Sequence, residues 1–252
     1  MDINVIVAKS DREESYDIFL HYLNKISEKH DVTLYVSSSK DTLEYKPEYF
    51  QFLENIFVDH QQVPLPTHNF NKSILLNHGL NRMRSHFDIV CIMDIDMIYN
   101  EGFFDQVESS LRHGYNYIVS TGQNLDEDET FQVFEKIPEE INQSIGTKFT
   151  GCSQICMTED VLDVLEDTFG FLYDERYEGW GGEDSDLSYK STILHRHMLL
   201  SKTEVRDVWN HLHHISRRPK DVENTTNYKR YLMNKLIIEK AVDVYKAERN
   251  KL

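Results

Sequence analysis

Two short acidic blocks about ninety residues apart hold the side chains best suited to chemistry in this chain. The first block, Asp94-Ile95-Asp96, directly follows the apolar run 89–93, which predicts a buried strand. Carboxylates at the end of a core strand are either hydrated in a loop or neutralised by an ion. We favour the ion, because two carboxylates one residue apart supply the hard oxygen ligands that divalent cations prefer.

The second acidic block lies in the segment Gly179-Trp180-Gly181-Gly182-Glu183-Asp184 and ends at Asp186. Its glycines let the backbone approach a ligand closely, and its tryptophan offers an apolar face on which a sugar ring can stack. The carboxylate that follows can accept a proton from an attacking hydroxyl. The alternative is a helix amino-terminal cap beside a core tryptophan. In either case we expect a helix to begin within residues 183–186, because acidic side chains suit a helix amino terminus.

A histidine cluster at positions 211, 213 and 214 follows a strand predicted at residues 205–209. Imidazole is a common metal ligand, and His211 and His214 would share a face if this turn is helical. Solvated or structural histidines are the alternative. The following pair, Arg217-Arg218, suits either a diphosphate leaving group or a solvated turn.

A further polar group surrounds the start of a helix predicted over residues 71–84, with Asn69 or Asn71 as its candidate cap. Lys72 could contact a phosphate. Asn77 could bond a nucleotide or only interrupt the apolar face of the helix. Taken alone, these are ordinary helix residues.

Composition narrows the classes of function. The 252-residue chain carries a net charge of -16, which argues against a broad surface for the phosphate backbone of nucleic acid. An acidic protein that handles pyrophosphate needs a metal to neutralise it, and the first acidic block could hold one. Three cysteines, an odd number, favour buried thiols and a reducing compartment. No stretch approaches the roughly 20 apolar residues of a membrane span, so we expect a cytoplasmic protein.

The elements that must position these groups alternate between strands and helices. Strands are predicted at residues 3–8, 32–36, 89–93 and 117–120, and helices at 15–29, 71–84 and 102–113. This rhythm predicts the α/β class, with a largely parallel sheet and function at the carboxyl ends of its strands.

The second half of the chain is less regular. The charge run 124–129 is interpreted as a solvated loop, residues 149–157 as a strand, and Thr158 as the cap of a helix through residue 167. We expect a single domain over residues 1–252. It comprises a nucleotide-binding half (1–122), an acceptor and catalytic half (123–222) and a C-terminal helix (223–252) that packs back on the domain.

Together these segments resemble the inverting glycosyltransferases of GT-A fold, in particular the β1,4-galactosyltransferases and chondroitin-polymerase modules. The polypeptide N-acetylgalactosaminyltransferases share some of the same segments, although that family retains configuration. The likeness spans roughly residues 3–220, and Trp180-Gly181-Gly182-Glu183-Asp184 is its most specific element. The other matching motifs, in the family's order, are Phe70-Asn71-Lys72, Leu75-Leu76-Asn77-x-Gly79, Asp94-Ile95-Asp96, Gly151-Cys152-Ser153 and the histidine cluster.

The resemblance implies a Mn²⁺ or Mg²⁺ cofactor and a catalytic base. Asp96 would be a direct metal ligand, and Asp94 would lie near the metal or the ribose. His214 matches the family's metal histidine, and His211 falls where the galactosyltransferases use a methionine ligand. Asp184 matches the catalytic base, with Glu183 beside it at the donor or acceptor sugar.

The resemblance also implies the substrate contacts. Trp180 and Asp186 would contact the acceptor, although Ser185 stands where the galactosyltransferases carry an aspartate that contacts the acceptor's N-acetyl group. The implied donor-binding residues are Ala8, Lys9, Arg12, Asn71, Lys72, Asn77, Asp94, Gly151, Trp180 and Gly182.

The function implied is transfer of a hexose or N-acetylhexosamine, galactose-type favoured, from a UDP-sugar to a hydroxyl of a glycan or glycoconjugate. The missing membrane anchor suits a bacterial or viral cytoplasmic enzyme. The alternatives are a metal-dependent nucleotidyltransferase or nucleotide-sugar hydrolase, and a non-catalytic sugar-binding domain of the same fold.

Overall fold

The computed structural model describes residues 1–10, 12–39, 53–67, 69–83, 86–135, 147–179, 181–212 and 225–249. Strands and helices alternate through the first half, as predicted. The strands are β1 (Asp2–Lys9), β2 (Asp31–Ser38), β3 (Ile56–Gln62), β4 (Ile89–Ile92), β5 (Met97–Tyr99), β6 (Tyr117–Asn124), β7 (Thr147–Met157), β8 (Lys202–Val205) and β9 (Trp209–His211). The helices are α1 (Glu13–Ile26), α2 (Lys72–Leu80), α3 (Phe103–Arg112), α4 (Glu127–Glu135), α5 (Glu159–Phe169), α6 (Glu183–Arg196) and α7 (Thr226–Arg249).

The described strands form one curled, mostly parallel sheet in the order β3-β2-β1-β4-β7-β6-β9-β5, with β8 beside β6. β1 pairs in parallel with β2 and β4, and β2 pairs in parallel with β3. β7 lies antiparallel between β4 and β6. The predicted α/β class is therefore confirmed, and β4 delivers the first acidic block to the centre of the sheet.

Side chains from alternate positions of the central strands fill the core on both faces of the sheet. Ile3 and Val5 of β1 pack on one face with Phe19 of α1. Ile6 packs on the opposite face with Leu76 of α2. Because helices cover both faces, the central strands are almost continuously apolar, and polar groups at their carboxyl ends stand out in the sequence.

The interpretation of residues 124–129 as a solvated loop is wrong, because α4 begins at Glu127. The Glu129 amide donates to Asp126 Oδ1 at 2.8 Å, and the Asp126 amide donates to Glu129 Oε2 at 2.8 Å. This reciprocal pair is a capping box, which satisfies two backbone donors at the helix start. The acidic run is therefore a helix-initiation signal.

The strand predicted at residues 205–209 is also wrong. β8 ends at Val205 and β9 begins at Trp209, with Asp207 between them at a left-handed φ of 54°. The break sends β9 to pair with β5, where His211 lies opposite Met97. It therefore brings a histidine next to the first acidic block.

The C-terminal helix packs back on the domain, as the sequence predicts. Ile238 and Val242 of α7 are buried in the same core cluster as Leu187 and Ile193 of α6. Within the described residues, no helix combines the length and apolar character needed to cross a bilayer.

Two of the three cysteines are buried free thiols, as predicted. Cys91 of β4 lies opposite Cys156 of β7 in the sheet, and burial raises the pKa of Cys91 well above its usual value. The side chain of Cys152 lies outside the described part of the chain.

Substituting Gly122 with alanine should destabilise the fold by about 3 kcal/mol, because the surrounding atoms leave no space for even a methyl group at this position. A Cβ there would lie 2.0 Å from the Trp209 carbonyl oxygen and 2.4 Å from its ring. Gly114→Ala is the matched control. Its φ of 84° strains alanine, but no atom lies within 4 Å of the added carbon, so about 1–2 kcal/mol is expected. Urea unfolding midpoints measure both changes, and equal losses would contradict the steric explanation.

Candidate active site

Lys72 connects the two acidic blocks. Its Nζ lies 2.9 Å from Asp94 Oδ1 and 3.2 Å from Asp184 Oδ2. Lys72 is the first residue of α2, Asp94 follows β4, and Asp184 is the second residue of α6. Carboxylates that are ninety positions apart in sequence therefore share one ammonium group. This juxtaposition defines the centre of the candidate site.

The charges at this centre shift the proton affinities of its members. Burial alone would lower the pKa of Lys72, but Asp184, Asp94 and Glu183 together raise it well above its usual value. Burial raises the pKa of Asp184 to about 8, with Glu183 and Asp94 adding to the rise and Lys72 opposing it. Burial likewise raises the pKa of Glu183. Lys72 is therefore a permanent cation, and Asp184 can exchange a proton near neutral pH.

Glycines at the start of α6 place the second acidic block. Gly181 and Gly182 have left-handed φ values of 76° and 103°, which L side chains rarely adopt. A Cβ on Gly182 would also lie 2.6 Å from the Tyr177 ring. The helix begins at Glu183, as predicted, so both carboxyl groups lie at its amino terminus. Asp184 remains 27% exposed, which leaves it open to a substrate hydroxyl.

Gln154 holds Asp94 in place, although no sequence motif predicted a role for it. Its Nε2 donates to Asp94 Oδ2 at 3.1 Å, and its Oε1 accepts the Asp94 amide at 2.9 Å. The Tyr99 hydroxyl also donates to this Oε1. Gln154 lies in β7 and is 1% exposed. A polar side chain just before the apolar run 155–157 was the available signal.

Asp96 faces His211 and Arg12. The His211 Nε2 lies 3.5 Å from Asp96 Oδ2, and the Arg12 guanidinium pairs with the same oxygen. Pairing between β5 and β9 fixes this geometry, because the Leu212 amide donates to the Asp96 carbonyl at 2.9 Å. His211 Nδ1 lies 3.0 Å from Asn124 Oδ1. An Nδ1–H donated to that oxygen leaves the Nε2 lone pair directed at Asp96, an arrangement typical of a metal-ligand pair.

The predicted metal ligands are therefore only partly brought together. Asp96 and His211 are adjacent, whereas the Asp94 carboxylate contacts Lys72 and Gln154. Within the described residues, no group of three histidine, cysteine, aspartate or glutamate side chains could hold an ion. His214 lies outside the described ranges, as do His213 and Arg217-Arg218. Two protein donors fit Mg²⁺ or Mn²⁺, because such ions commonly complete their shells with water and substrate phosphates.

Lys9, predicted to bind the donor, is paired inside the fold. Its side chain is buried, with Nζ 2.9 Å from Glu13 Oε2 and 4.5 Å from the centre of the Tyr16 ring. The ammonium group is therefore used inside the fold. Ala8 lies half-buried near the end of β1, and Arg12, which precedes α1, contacts Asp96 as described above.

Asn71 and Asn77, predicted to bind the donor, contact the loop at residues 173–175 in this structure. The Asn71 Oδ1 caps α2 by accepting the Ile74 amide at 3.0 Å, as predicted, and its Nδ2 donates to the Glu175 carbonyl at 2.8 Å. Asn77 accepts the Tyr173 amide at 3.2 Å and donates to the Tyr173 carbonyl at 2.8 Å. Both amides bond to backbone in this structure, and Asn77 Nδ2 also lies 3.1 Å from Glu175 Oε1, so direct donor contacts by these residues stay a prediction.

Asp186, predicted to contact the acceptor, is bonded inside the protein. It is 1% exposed, and its Oδ1 accepts from Asn234 at 2.8 Å and from the Tyr177 hydroxyl at 3.2 Å. Its Oδ2 pairs with Lys190 Nζ at 3.1 Å. Asp186 is therefore an internal charge that ties α6 to α7. Of the remaining predicted residues, Gly151 lies in β7 and Trp180 lies outside the described ranges.

Comparison with solved structures identifies the fold. TarS 1–349 from Staphylococcus aureus superposes with a TM-score of 0.59 at 13% identity, over 84% of this chain and 60% of that one. The same protein in complex with UDP-GlcNAc gives 0.61 at 10% identity, over 94% and 66%. Glucosyl-3-phosphoglycerate synthase from Mycobacterium tuberculosis, in complex with Mg²⁺ and UDP, gives 0.54 at 15% identity, over 94% and 79%.

These likenesses show that the chain has the GT-A fold. The chain spans about 60% of the length of the TarS fragment. No protein-family model matches the sequence, and the search of curated proteins found no relative. Membership of the β1,4-galactosyltransferase family therefore stays a prediction.

Proposed function

We propose that this protein is a metal-dependent glycosyltransferase that moves a sugar from a UDP-sugar to a hydroxyl group of a glycan or glycoconjugate. The observation that carries the proposal is the Lys72 bridge between Asp94 and Asp184 within a GT-A fold. With Asp184 as the proton acceptor, the bridge supports an acceptor side opposite Asp94, whose neighbour Asp96 is the candidate metal ligand. Two solved structures of similar fold support a UDP-sugar as the donor and a divalent metal as the cofactor, since one is in complex with UDP-GlcNAc and the other with Mg²⁺ and UDP.

Asp96 and His211, with His214 as a further candidate, would hold Mn²⁺ or Mg²⁺. Such an ion stabilises the negative charge on a departing diphosphate. Arg12 already pairs with Asp96, so it is placed to exchange that contact for a phosphate oxygen when the donor binds. Lys72 supplies a second cation on the same side of the site.

Asp184 acts as the general base in the proposed reaction. It accepts the proton of the acceptor hydroxyl while that oxygen bonds to the anomeric carbon and the bond to the diphosphate breaks. Attack from the face opposite the leaving group inverts configuration in a single displacement. Galactose or an N-acetylhexosamine is the sugar that the motif resemblance favours, and Trp180 is the candidate stacking surface for it.

Thermal unfolding with a panel of nucleotide-sugars tests the donor and the metal together. UDP-sugars with Mn²⁺ or Mg²⁺ should raise Tm by roughly 5–10 °C at a concentration a hundred times Kd, because a ligand that binds only the folded state stabilises it. The rise should disappear with EDTA and in Asp96→Asn, and it should persist in Asp163→Asn, an exposed change on α5.

Three results would contradict the proposal. The first is equal stabilisation with and without metal. The second is stabilisation by GDP-sugars alone. The third is release of sugar phosphate without an acceptor product, which would favour a nucleotidyltransferase or hydrolase.

A further inference from the structure

A side-chain amide from α7 supports the backbone just before the second acidic block. The Asn227 Nδ2 donates to the Glu178 carbonyl at 2.8 Å and to the Gly181 carbonyl at 2.8 Å. Asn227 is the second residue of α7 and is 8% exposed. One nitrogen therefore ties two carbonyls that are three residues apart. We name residues 178, 179, 181 and 182 the glycine segment.

The glycine segment needs such outside support. Gly179, Gly181 and Gly182 have φ values of 72°, 76° and 103°. Glycine adopts these backbone conformations readily, but it has no side chain whose contacts could hold the segment in place. On the side of α2, the Gly179 amide donates to the Phe70 carbonyl at 2.8 Å. On the side of α7, the support is Asn227. The segment is therefore held between two elements that are distant in sequence.

The position of Asp184 depends on the same contacts. Gly182 immediately precedes α6, and its carbonyl accepts the Asp186 amide at 2.9 Å in the first turn. A Cβ on Gly182 would lie 3.4 Å from the Cβ of Asn227, so the two backbones approach closely at this point. A shift of the glycine segment would therefore move the start of α6 and the Asp184 carboxyl relative to Lys72.

We propose that Asn227 is a positioning residue for the acceptor side of the site, an inference that rests on the proposed function. The Asn227 side chain holds the glycine segment in position, and the glycine segment determines the position of the proton acceptor Asp184. The donor-side carboxylates depend on other contacts, since Gln154 holds Asp94 and Arg12 pairs with Asp96. Loss of the Asn227 amide should therefore impair transfer to the acceptor much more than binding of the donor.

Asn227→Asp keeps the shape of the side chain but replaces the donating nitrogen with an acceptor oxygen that repels both carbonyls. We expect kcat/KM for the acceptor to fall by roughly 10- to 100-fold, because displacement of a reacting group by about 1 Å has effects of this size. The Kd for UDP with Mn²⁺, measured by calorimetry, should change less than about twofold. Asn227→Ala should show a smaller loss, and Lys229→Ala, exposed on the same helix, should match the parent protein.

Hydrogen exchange provides a readout that does not need activity. Amides of residues 178–186 should exchange faster in Asn227→Asp, while those of β1 and β4 keep their protection. Unchanged exchange in residues 178–186 would overturn the inference whether or not the protein transfers sugar. Equal losses of donor affinity and transfer would also overturn it, because they would indicate a general structural role. A parent protein that transfers no sugar would instead refute the proposed function.

Discussion

Asp184→Asn is expected to lower the rate of sugar transfer by roughly 10²- to 10⁴-fold, the range for loss of a positioned general base. Asparagine has nearly the same shape as aspartate and can still contact Lys72, but it cannot take the proton of the attacking hydroxyl. Because the donor-side residues Asp96 and His211 are untouched, donor binding should stay close to that of the parent protein.

Steady-state kinetics with saturating donor and metal measure this effect. Asp163→Asn makes the same chemical change at an exposed position of α5 and should keep the parent rate. Burial raises the pKa of Asp184 to about 8. Because only the deprotonated carboxylate accepts a proton, kcat/KM of the parent protein should rise with pH through this range. The residual rate of Asp184→Asn should lack that rise. Near-normal turnover in the variant would refute the assignment of the base.

Lys72→Met should destabilise the protein by about 1–3 kcal/mol, the cost of leaving a buried polar partner unsatisfied. The Lys72 side chain is 14% exposed and lies between Asp94 and Asp184, which are 25% and 27% exposed. Removing the ammonium leaves two carboxylates facing each other with no cation between them. Donor affinity should fall as well, since a cation on the phosphate side of the site is lost.

A double-mutant cycle separates this charge effect from lost packing. Asp184→Asn removes one of the two carboxylates that Lys72→Met leaves unpaired. The loss of stability that Asp184→Asn causes should therefore be about 0.5–3 kcal/mol smaller in the Lys72→Met background than in the parent protein. Lys25→Met is the control, because Lys25 pairs with a Glu101 side chain that is 63% exposed. Such surface pairs contribute about 0–1 kcal/mol. Additive losses in the cycle would show that Lys72 and Asp184 do not interact in solution.

Sequence signals predicted an element correctly where the physical cause lay in adjacent residues. The apolar run before Asp94 gave a buried strand, and the acidic residues after Gly182 gave the start of a helix. The same reasoning failed at residues 124–129, where Asp126 and Glu129 form a capping box. A charge run suits a solvated loop and a helix start equally well, and the reciprocal bonds decide between them.

By itself, the sequence determined the α/β class, the two acidic blocks and the ends of the elements that carry them. Periodicity, helix caps and apolar runs depend on residues that are close together in the chain, so they can be recognised from the sequence alone. It also singled out Lys72, Asp96, His211 and Asp184.

Only the tertiary structure decided which polar side chains face the site and which ones hold the fold together. Four residues that were predicted to contact substrates make hydrogen bonds or ion pairs inside the protein: Lys9, Asn71, Asn77 and Asp186. Conversely, Gln154 and Asn227 belong to no sequence motif, yet Gln154 bonds to Asp94 and Asn227 bonds to the glycine segment. The Lys9–Glu13 pair is local. For the others, the physical reason is that packing brings together elements that are far apart in sequence, from 46 positions for Asn227 and Gly181 to 112 positions for Lys72 and Asp184.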